Sequence, residues 1–302
     1  MWTSENNWYK WKYGDGQWFG RQTGHDKFIT SFSCNYIESN KTLKEELEAA
    51  ASSTVDHFGN NISILFSGGA DSEVMLRSFL SIGIKPKVFI YRYEKDYNIY
   101  DVSYAVTICS LLNVDYRIID FNLENFYLND AEYMSELSQI DRPRALPYCK
   151  FIKDTDGVPL LGSSDLSIVR INKEYTEPGD WRVLCWEHDV NWSKFIRAIN
   201  KPAVGEWFKW TPGLVASFVN TNWCKNLVND RLYGKLGTNS TKLQGYREAY
   251  PDMITRTKKT GFEYIDALAY EFEVFLKSKY NGLPYRNYYI RPFDKLLEEM
   301  KS

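Results

Sequence analysis

The stretch from Ile62 to Ser72, preceded by Asn61, constrains this chain more than any other. Ile62, Ser63, Ile64 and Leu65 have strand character and run through Phe66 into Ser67-Gly68-Gly69-Ala70-Asp71-Ser72. The helical pattern EVMLRSFLSIG follows at once. A strand, a glycine turn and a helix start predict an anion site. The first N–H groups of a helix have no internal partner, and the helix dipole favours negative charge there. Two glycines let the main chain approach an anion with no Cβ in the way. Ser67 and Ser72 add hydroxyl donors, and Asp71 is placed to hold a Mg²⁺ that partly neutralises bound phosphate.

The surrounding pattern predicts the sheet that would carry this turn. Thr42 to Phe58 reads as a helix, with Thr42 and Glu45 or Glu46 close to a capping box. Leu43, Leu47, Ala50 or Ala51, Thr54 and Phe58 share one face, and Gly59-Asn60-Asn61 ends it. Further strands are expected at Lys87–Tyr91, Val114–Phe121 and Val158–Leu161. Helices are expected at Tyr100–Leu112 and Asn129–Ser138, and Asp141, Pro143 and Pro147 read as a stiff turn region. Strands alternating with helices imply a parallel α/β sheet whose ligands bind outside the carboxyl ends of the strands. From about residue 185 onward the pattern turns mainly helical, with helices expected at 190–200, 205–219, 223–233, 240–249, 261–280 and 292–301. The chain therefore divides into an aromatic-rich region at 1–40, an α/β core at 41–185 and a helical part at 186–302.

The first region holds Trp2, Trp8, Tyr9, Trp11, Tyr13, Trp18 and Phe19, with Lys10, Lys12 and Arg21 interleaved. Gly14-Asp15-Gly16 between two aromatic runs is a hairpin signal. Aromatics alternating with basic residues can stack single-stranded bases, although such a hairpin more often covers a hydrophobic face.

Composition narrows the setting. With 302 residues, 44% hydrophobic and 25% charged, the chain is long enough to bury a sizeable core. A formal net charge of -2 gives no case for nucleic acid or acidic membranes as whole-chain partners. No apolar run approaches the roughly 20 residues of a membrane span, and no signal-peptide core is visible, so a cytoplasmic setting is expected. The five cysteines (Cys34, Cys109, Cys149, Cys185 and Cys224) form no C-x-x-C pair, and the odd count fits reduced thiols. Cys185 and His188 lack the second pair a zinc site needs.

The turn is not the common ATPase loop, since no Lys-Ser or Lys-Thr follows its second glycine. S-G-G-x-D-S at Ser67–Ser72 instead resembles the PP-loop of the ATP pyrophosphatases. Those enzymes cleave ATP between the α- and β-phosphates and activate a substrate as its adenylate. Four segments in order, over about residues 42 to 275, resemble the synthetase domain of the asparagine synthetase B-type enzymes, the group that includes the β-lactam synthetases. They are Thr42 through Ser72; the strand at 87–91, the helix at 100–112 and Val114–Asp120, reached after the Leu112-Asn113 turn; Asp141-Arg142-Pro143 through Tyr148 with VPLLGSSDL; and KLQGYREAYPDMITRTKKTGF.

The resemblance implies ATP and Mg²⁺ as ligands and assigns roles. Ser67, Gly68, Gly69, Asp71 and Ser72 match the pyrophosphate loop. Asp71 and Asp165 match the two carboxylates that hold Mg²⁺, and Leu65 and Tyr91 fall where the family frames adenine, largely through backbone. The lysine of the family's R-x-K-x-G-F stretch contacts phosphate and stabilises the adenylation transition state. Spacing from Gly261-Phe262 makes it Lys259, and spacing from Arg256 makes it Lys258. The family's second loop, G-E-G-x-D-E, is altered. Gly162, within the ATP-binding set, replaces its first Glu, Ser163 replaces the next Gly, and Leu166 replaces the last Glu. In the asparagine enzymes that first Glu sits beside the amino-acid substrate and the incoming nitrogen. A carboxylate there binds an amine or takes its proton, and glycine does neither, so asparagine synthesis itself is not implied. Trp2 after Met1 and the short leading region imply no built-in glutaminase. Free ammonia, another amine or a separate glutaminase would then supply nitrogen.

These features predict an AMP- and pyrophosphate-forming ligase that adenylates a small-molecule carboxylate. Two alternatives remain from sequence. One is a PP-loop enzyme acting on a nucleobase or tRNA, supported by the aromatic N-terminal region. The other is a degenerate ATP-binding module, supported by the altered second loop.

Overall fold

The structure is a computed structural model of the chain, describing residues 8–12, 29–32, 41–140, 142–163, 167–170, 181–229, 238–256, 262–279 and 288–301. Strand β1 (Tyr9–Lys12) pairs antiparallel with β2 (Ile29–Phe32), Tyr9 opposite Phe32. The partner of the first aromatic run is thus Ile29–Phe32, while the expected Gly14-Asp15-Gly16 turn lies outside the described residues. Trp8, Tyr9 and Phe32 are buried, with Phe32 5.5 Å from the Trp8 ring and 5.0 Å from the Tyr9 ring. At these positions the aromatics cover the hydrophobic core.

Helix α1 (Leu43–Phe58) begins with a complete capping box. The Thr42 hydroxyl accepts the Glu45 N–H, and the Glu45 carboxylate accepts the Thr42 N–H at 2.7 Å. Two helix-end donors are thereby satisfied reciprocally. Its apolar face, Leu43, Leu47, Ala50, Ala51 and Thr54, is buried as the spacing predicts. Thr54 also accepts the indole N–H of the fully buried Trp207, pinning a distant loop to this helix.

The chain then alternates through β3 (Ile62–Leu65), α2 (Ala70–Ser81), β4 (Lys87–Tyr93), α3 (Ile99–Leu111) and β5 (Tyr116–Phe121). A left-handed Asn113 (φ 52°) makes the turn after α3. Next come α4 (Leu123–Asn129), α5 (Ala131–Ser138), α6 (Pro147–Asp154) and β6 (Val158–Leu161). The sheet order is β5-β4-β3-β6, with every neighbour parallel. The fold class is therefore the expected one, a parallel α/β sheet with flanking helices. Two of its helices differ from the sequence reading. A separate α4 precedes α5, with Asp130 between them. The expected turn at Pro147 is instead the first residue of α6, a position that suits proline because its missing N–H would be unpaired there anyway.

The topology has one consequence for the site. After β3 the chain builds outward through β4 and β5, then returns to place β6 on the other side of β3. The strand order reverses between β3 and β6, and the crevice at the carboxyl ends of such a pair is where ligands bind in open α/β sheets.

Beyond β6 lie β7 (Ser167–Arg170), β8 (Trp181–Trp186), α7 (Glu187–Ala198), α8 (Pro212–Asn220), α9 (Asn222–Asn229), α10 (Thr238–Tyr246), α11 (Phe262–Lys279), β9 (Tyr288–Pro292) and α12 (Phe293–Lys301). The six expected helices each have a counterpart. The part is mainly helical as expected, and it also carries a sheet that the sequence did not indicate, three antiparallel strands ordered β7-β8-β9. WRVLCW and YYIRP are rich in aromatic and β-branched residues, which suit a half-buried pleated surface. Pro292 is tolerated because β9 has a single neighbour in this sheet. Among the described residues, no helix is long and apolar enough to cross a membrane.

Candidate active site

Ser67 to Ser72 joins the carboxyl end of β3 to the first turn of α2, at the reversal point of the sheet. Gly69 is the N-cap of α2, and Glu73 N–H closes the first helical hydrogen bond on its carbonyl at 3.0 Å. Ala70, Asp71 and Ser72 therefore carry N–H groups with no intrahelical acceptor. The Ser67 hydroxyl accepts the Gly69 N–H at 3.3 Å and lies 3.3 Å from the Ser72 hydroxyl, which donates to Gly69 O at 3.0 Å. These bonds fix the loop and gather both hydroxyls on one side of it.

Both glycines of greatest consequence are set by close backbone approach. Gly68 has φ +73°, and a Cβ there would lie 2.5 Å from Asp101 O and 2.7 Å from Ala105 N on α3. Gly68→Ala therefore meets left-handed strain of about 1–2 kcal/mol together with a rigid clash of about 1–3 kcal/mol. We expect it to destabilise the fold by roughly 2–5 kcal/mol, read as a lower urea midpoint at unchanged slope. Gly162, just beyond β6, lies against the start of α2. A Cβ there would be 2.7 Å from Ser72 Cα and 2.9 Å from Ser72 N. Glycine at 162 is thus required by this packing, since any side chain there would have to displace the backbone of α2.

Asp71 projects from the first turn of α2 and is held from α10. Lys242 Nζ lies 2.5 Å from its Oδ2, and the Tyr246 hydroxyl donates to Oδ1 at 2.7 Å. Two residues on, Glu73 is wholly buried. Its carboxylate accepts Arg77 Nε at 2.7 Å and an Arg256 Nη2 N–H. Arg77 reaches onward to both Asp252 oxygens, at 3.0 and 2.9 Å. Burial lowers the Arg256 pKa to about 10, with the Asp71 charge acting the other way. Among the described residues, Arg256 Nε and Nη1 are buried without a hydrogen-bond partner. The site thus combines an acidic pair on α2 with Lys242 and Arg256, two of whose buried donors have no partner among the described residues.

On the α3 side of the loop is a small open cleft lined by Leu65, Phe66, Ser67, Tyr91, Asn98 and Phe151, among others. Tyr91 stacks on Phe151 at 3.7 Å and 15°, and its hydroxyl lies 2.8 Å from Thr155 Oγ1. Asn98 ties the end of β4, donating to Tyr91 O and accepting from Tyr93 N–H, both at 2.8 Å. Tyr91 thus presents an aromatic wall to the cleft while its carbonyl is engaged. Burial raises the pKa of the neighbouring Tyr148 to about 12, keeping it a neutral phenol.

The structure brings Leu65, Ser67 and Tyr91 to one cleft, and Gly68, Gly69, Asp71, Ser72 and Gly162 to the adjoining loop. Asp165, Lys258 and Lys259 lie outside the described residues. Lys242 and Tyr246 were missed as site residues. They lie within the KLQGYREAY segment, and their four-residue spacing on a helix was the available signal.

No protein-family model matches the chain, and no curated protein matches it. Among solved structures, it is similar to an NMN synthetase from Francisella tularensis, with 18% identity over 41% of this chain and 54% of that one, at a TM-score of 0.31. It is also similar to a glutamine-dependent NAD+ synthetase from Acinetobacter baumannii in complex with ADP, with 13% identity over 46% of this chain and 31% of that one, at a TM-score of 0.31. The chain spans about half the length of the first and about a third of the second.

Proposed function

We propose that this chain is an ATP-dependent ligase of the PP-loop type, asparagine synthetase-like, which adenylates a carboxylate and releases pyrophosphate. The supporting observation is the glycine loop at the β3–β6 reversal, where free helix N–H groups, two hydroxyls, Lys242 and Arg256 surround Asp71. These residues fit a polyphosphate. The loop is tight enough to exclude a Cβ at Gly68, and the buried Arg256 holds two donors without a partner among the described residues.

Asp71, with Asp165, would hold Mg²⁺, which supplies charge neutralisation at the phosphates when bound. The α2 N-terminus and the Ser67 and Ser72 hydroxyls would receive phosphate oxygens, and the aromatic cleft by Tyr91 would receive the base. A substrate carboxylate oxygen would bond to the α-phosphorus as the α–β bridging bond breaks and pyrophosphate leaves. Lys242, Arg256 and Lys258 or Lys259 would stabilise the charge growing on that leaving group. An amine, or ammonia from solution or a separate glutaminase, would then attack the acyl carbon and expel AMP. With Gly162 in place of a carboxylate, the amine's proton must go to another acceptor.

The test is product analysis. The protein is incubated with Mg-ATP, mixed carboxylic and amino acids, and ammonium, and the nucleotides are separated. AMP with an equal amount of pyrophosphate is expected, and single omissions would identify the acceptor. ADP as the product, or binding without turnover across a broad screen, would contradict the ligase reading.

A further inference from the structure

Asp71 carries the metal-binding role in the reading above, yet both its oxygens are engaged by the protein's own donors. The ammonium of Lys242 sits on Oδ2 at ion-pair distance, where a divalent cation would bind. Side-chain exposures of 14% for Lys242 and 21% for Asp71 make this a partly sheltered pair, short of a solvated surface contact. The two donors to Asp71 differ in their freedom to move. Tyr246 is fully buried, stacked against Phe208 at 5.7 Å and packed on Phe218. Its ring is locked, so its hydroxyl fixes where the carboxylate points. Lys242, four residues earlier on the same helix, carries its charge on a flexible four-carbon stem, a group that binds phosphate as a point charge.

We propose that Lys242 is an exchange residue, holding Asp71 in the nucleotide-free protein and passing to nucleotide phosphate when a metal takes its place on the carboxylate. This inference rests on the ATP reading above. A lysine ammonium and a divalent cation on one carboxylate oxygen repel each other, and an arriving polyphosphate gives the displaced ammonium a new partner. Tyr246 would stay on Oδ1 throughout and keep the carboxylate aimed. Lys242 would thus suppress metal binding alone and favour metal and nucleotide arriving together.

The exchange predicts effects of opposite sign from one substitution. In Lys242→Met, Mn²⁺ titrated without nucleotide and followed by electron paramagnetic resonance should bind about tenfold tighter than to the wild type. The uncleavable α,β-methylene-ATP with Mg²⁺, followed by calorimetry, should bind about tenfold more weakly. A merely structural role would weaken both together. Lys242→Gln carries the same expectation and serves if the methionine variant does not fold. Tyr246→Phe leaves the lysine on Asp71 and should not tighten Mn²⁺. Unchanged or weaker Mn²⁺ binding in both folded Lys242 variants overturns the exchange, as does unchanged analogue binding. A wild-type protein that does not bind α,β-methylene-ATP overturns the ATP reading itself, an outcome separate from either of those.

Discussion

Asp71→Asn is expected to lower AMP formation by at least ~10²-fold while leaving the protein folded. The substitution is isosteric, so the amide oxygen of the new side chain can still accept the Tyr246 hydroxyl that now bonds Asp71 at 2.7 Å. The charge that pairs with Lys242 and would hold the metal is lost. The pair is partly sheltered, with 14% and 21% of the two side chains exposed, so its loss should lower the melting midpoint measurably while the variant still folds. The functional loss should be far larger, because a preorganised charge beside the phosphates acts most strongly as the transition state develops its own. Initial rates of AMP release, with thermal melts of both proteins, provide the check. Turnover within a few-fold of wild type in the folded variant would remove Asp71 from the chemistry.

The parts of this molecule legible in its sequence are those written locally. Thr42 and Glu45 lie three residues apart, and their capping box fixes the start of α1. The β3–loop–α2 unit is contiguous, so apolar run, glycines and helix pattern could be read together. The β7-β8-β9 sheet was illegible for the opposite reason. Its register joins Arg182 to Pro292 across most of the C-terminal half, and no short window contains both partners. Pro147 gave a true local signal with two meanings, turn or first helical residue, which only the burial of Cys149, Phe151 and Ile152 resolves. The candidate site divides the same way. Its α2 side was visible from the loop, whereas Lys242 and Tyr246 look like ordinary helix residues until α10 is folded against Asp71. Gly162 read as a missing carboxylate, and the contact with Ser72 that requires glycine appears only in three dimensions.

Glu73→Ala is expected to be among the most destabilising single changes available near this site, by about 3–5 kcal/mol. Glu73 is buried and joins two guanidinium groups, one from its own helix and one from the segment after α10. Its two partners would not suffer equally. Arg77 keeps the contact of its Nη1 with both oxygens of Asp252, whose carboxylate is 72% exposed, so that charge retains a hydrated counter-ion. Arg256, with its side chain 11% exposed, would lose the acceptor of its Nη2 N–H while Nε and Nη1 already lack partners among the described residues. Removing one member of a buried pair leaves the other charge to bear its full desolvation, and this dominates over the lost attraction. Two consequences separate this account from simple cavity formation. Arg256→Met in the Glu73→Ala background should recover part of the lost stability, giving a coupling energy of about 1–3 kcal/mol in a double-mutant cycle. Glu73→Gln, which keeps the volume and can still accept one N–H, should fall between wild type and alanine. Urea midpoints of the four proteins in the cycle decide it. If Glu73→Ala and Arg256→Met add independently, Glu73 serves as packing, and the buried charges near Asp71 are balanced by another group.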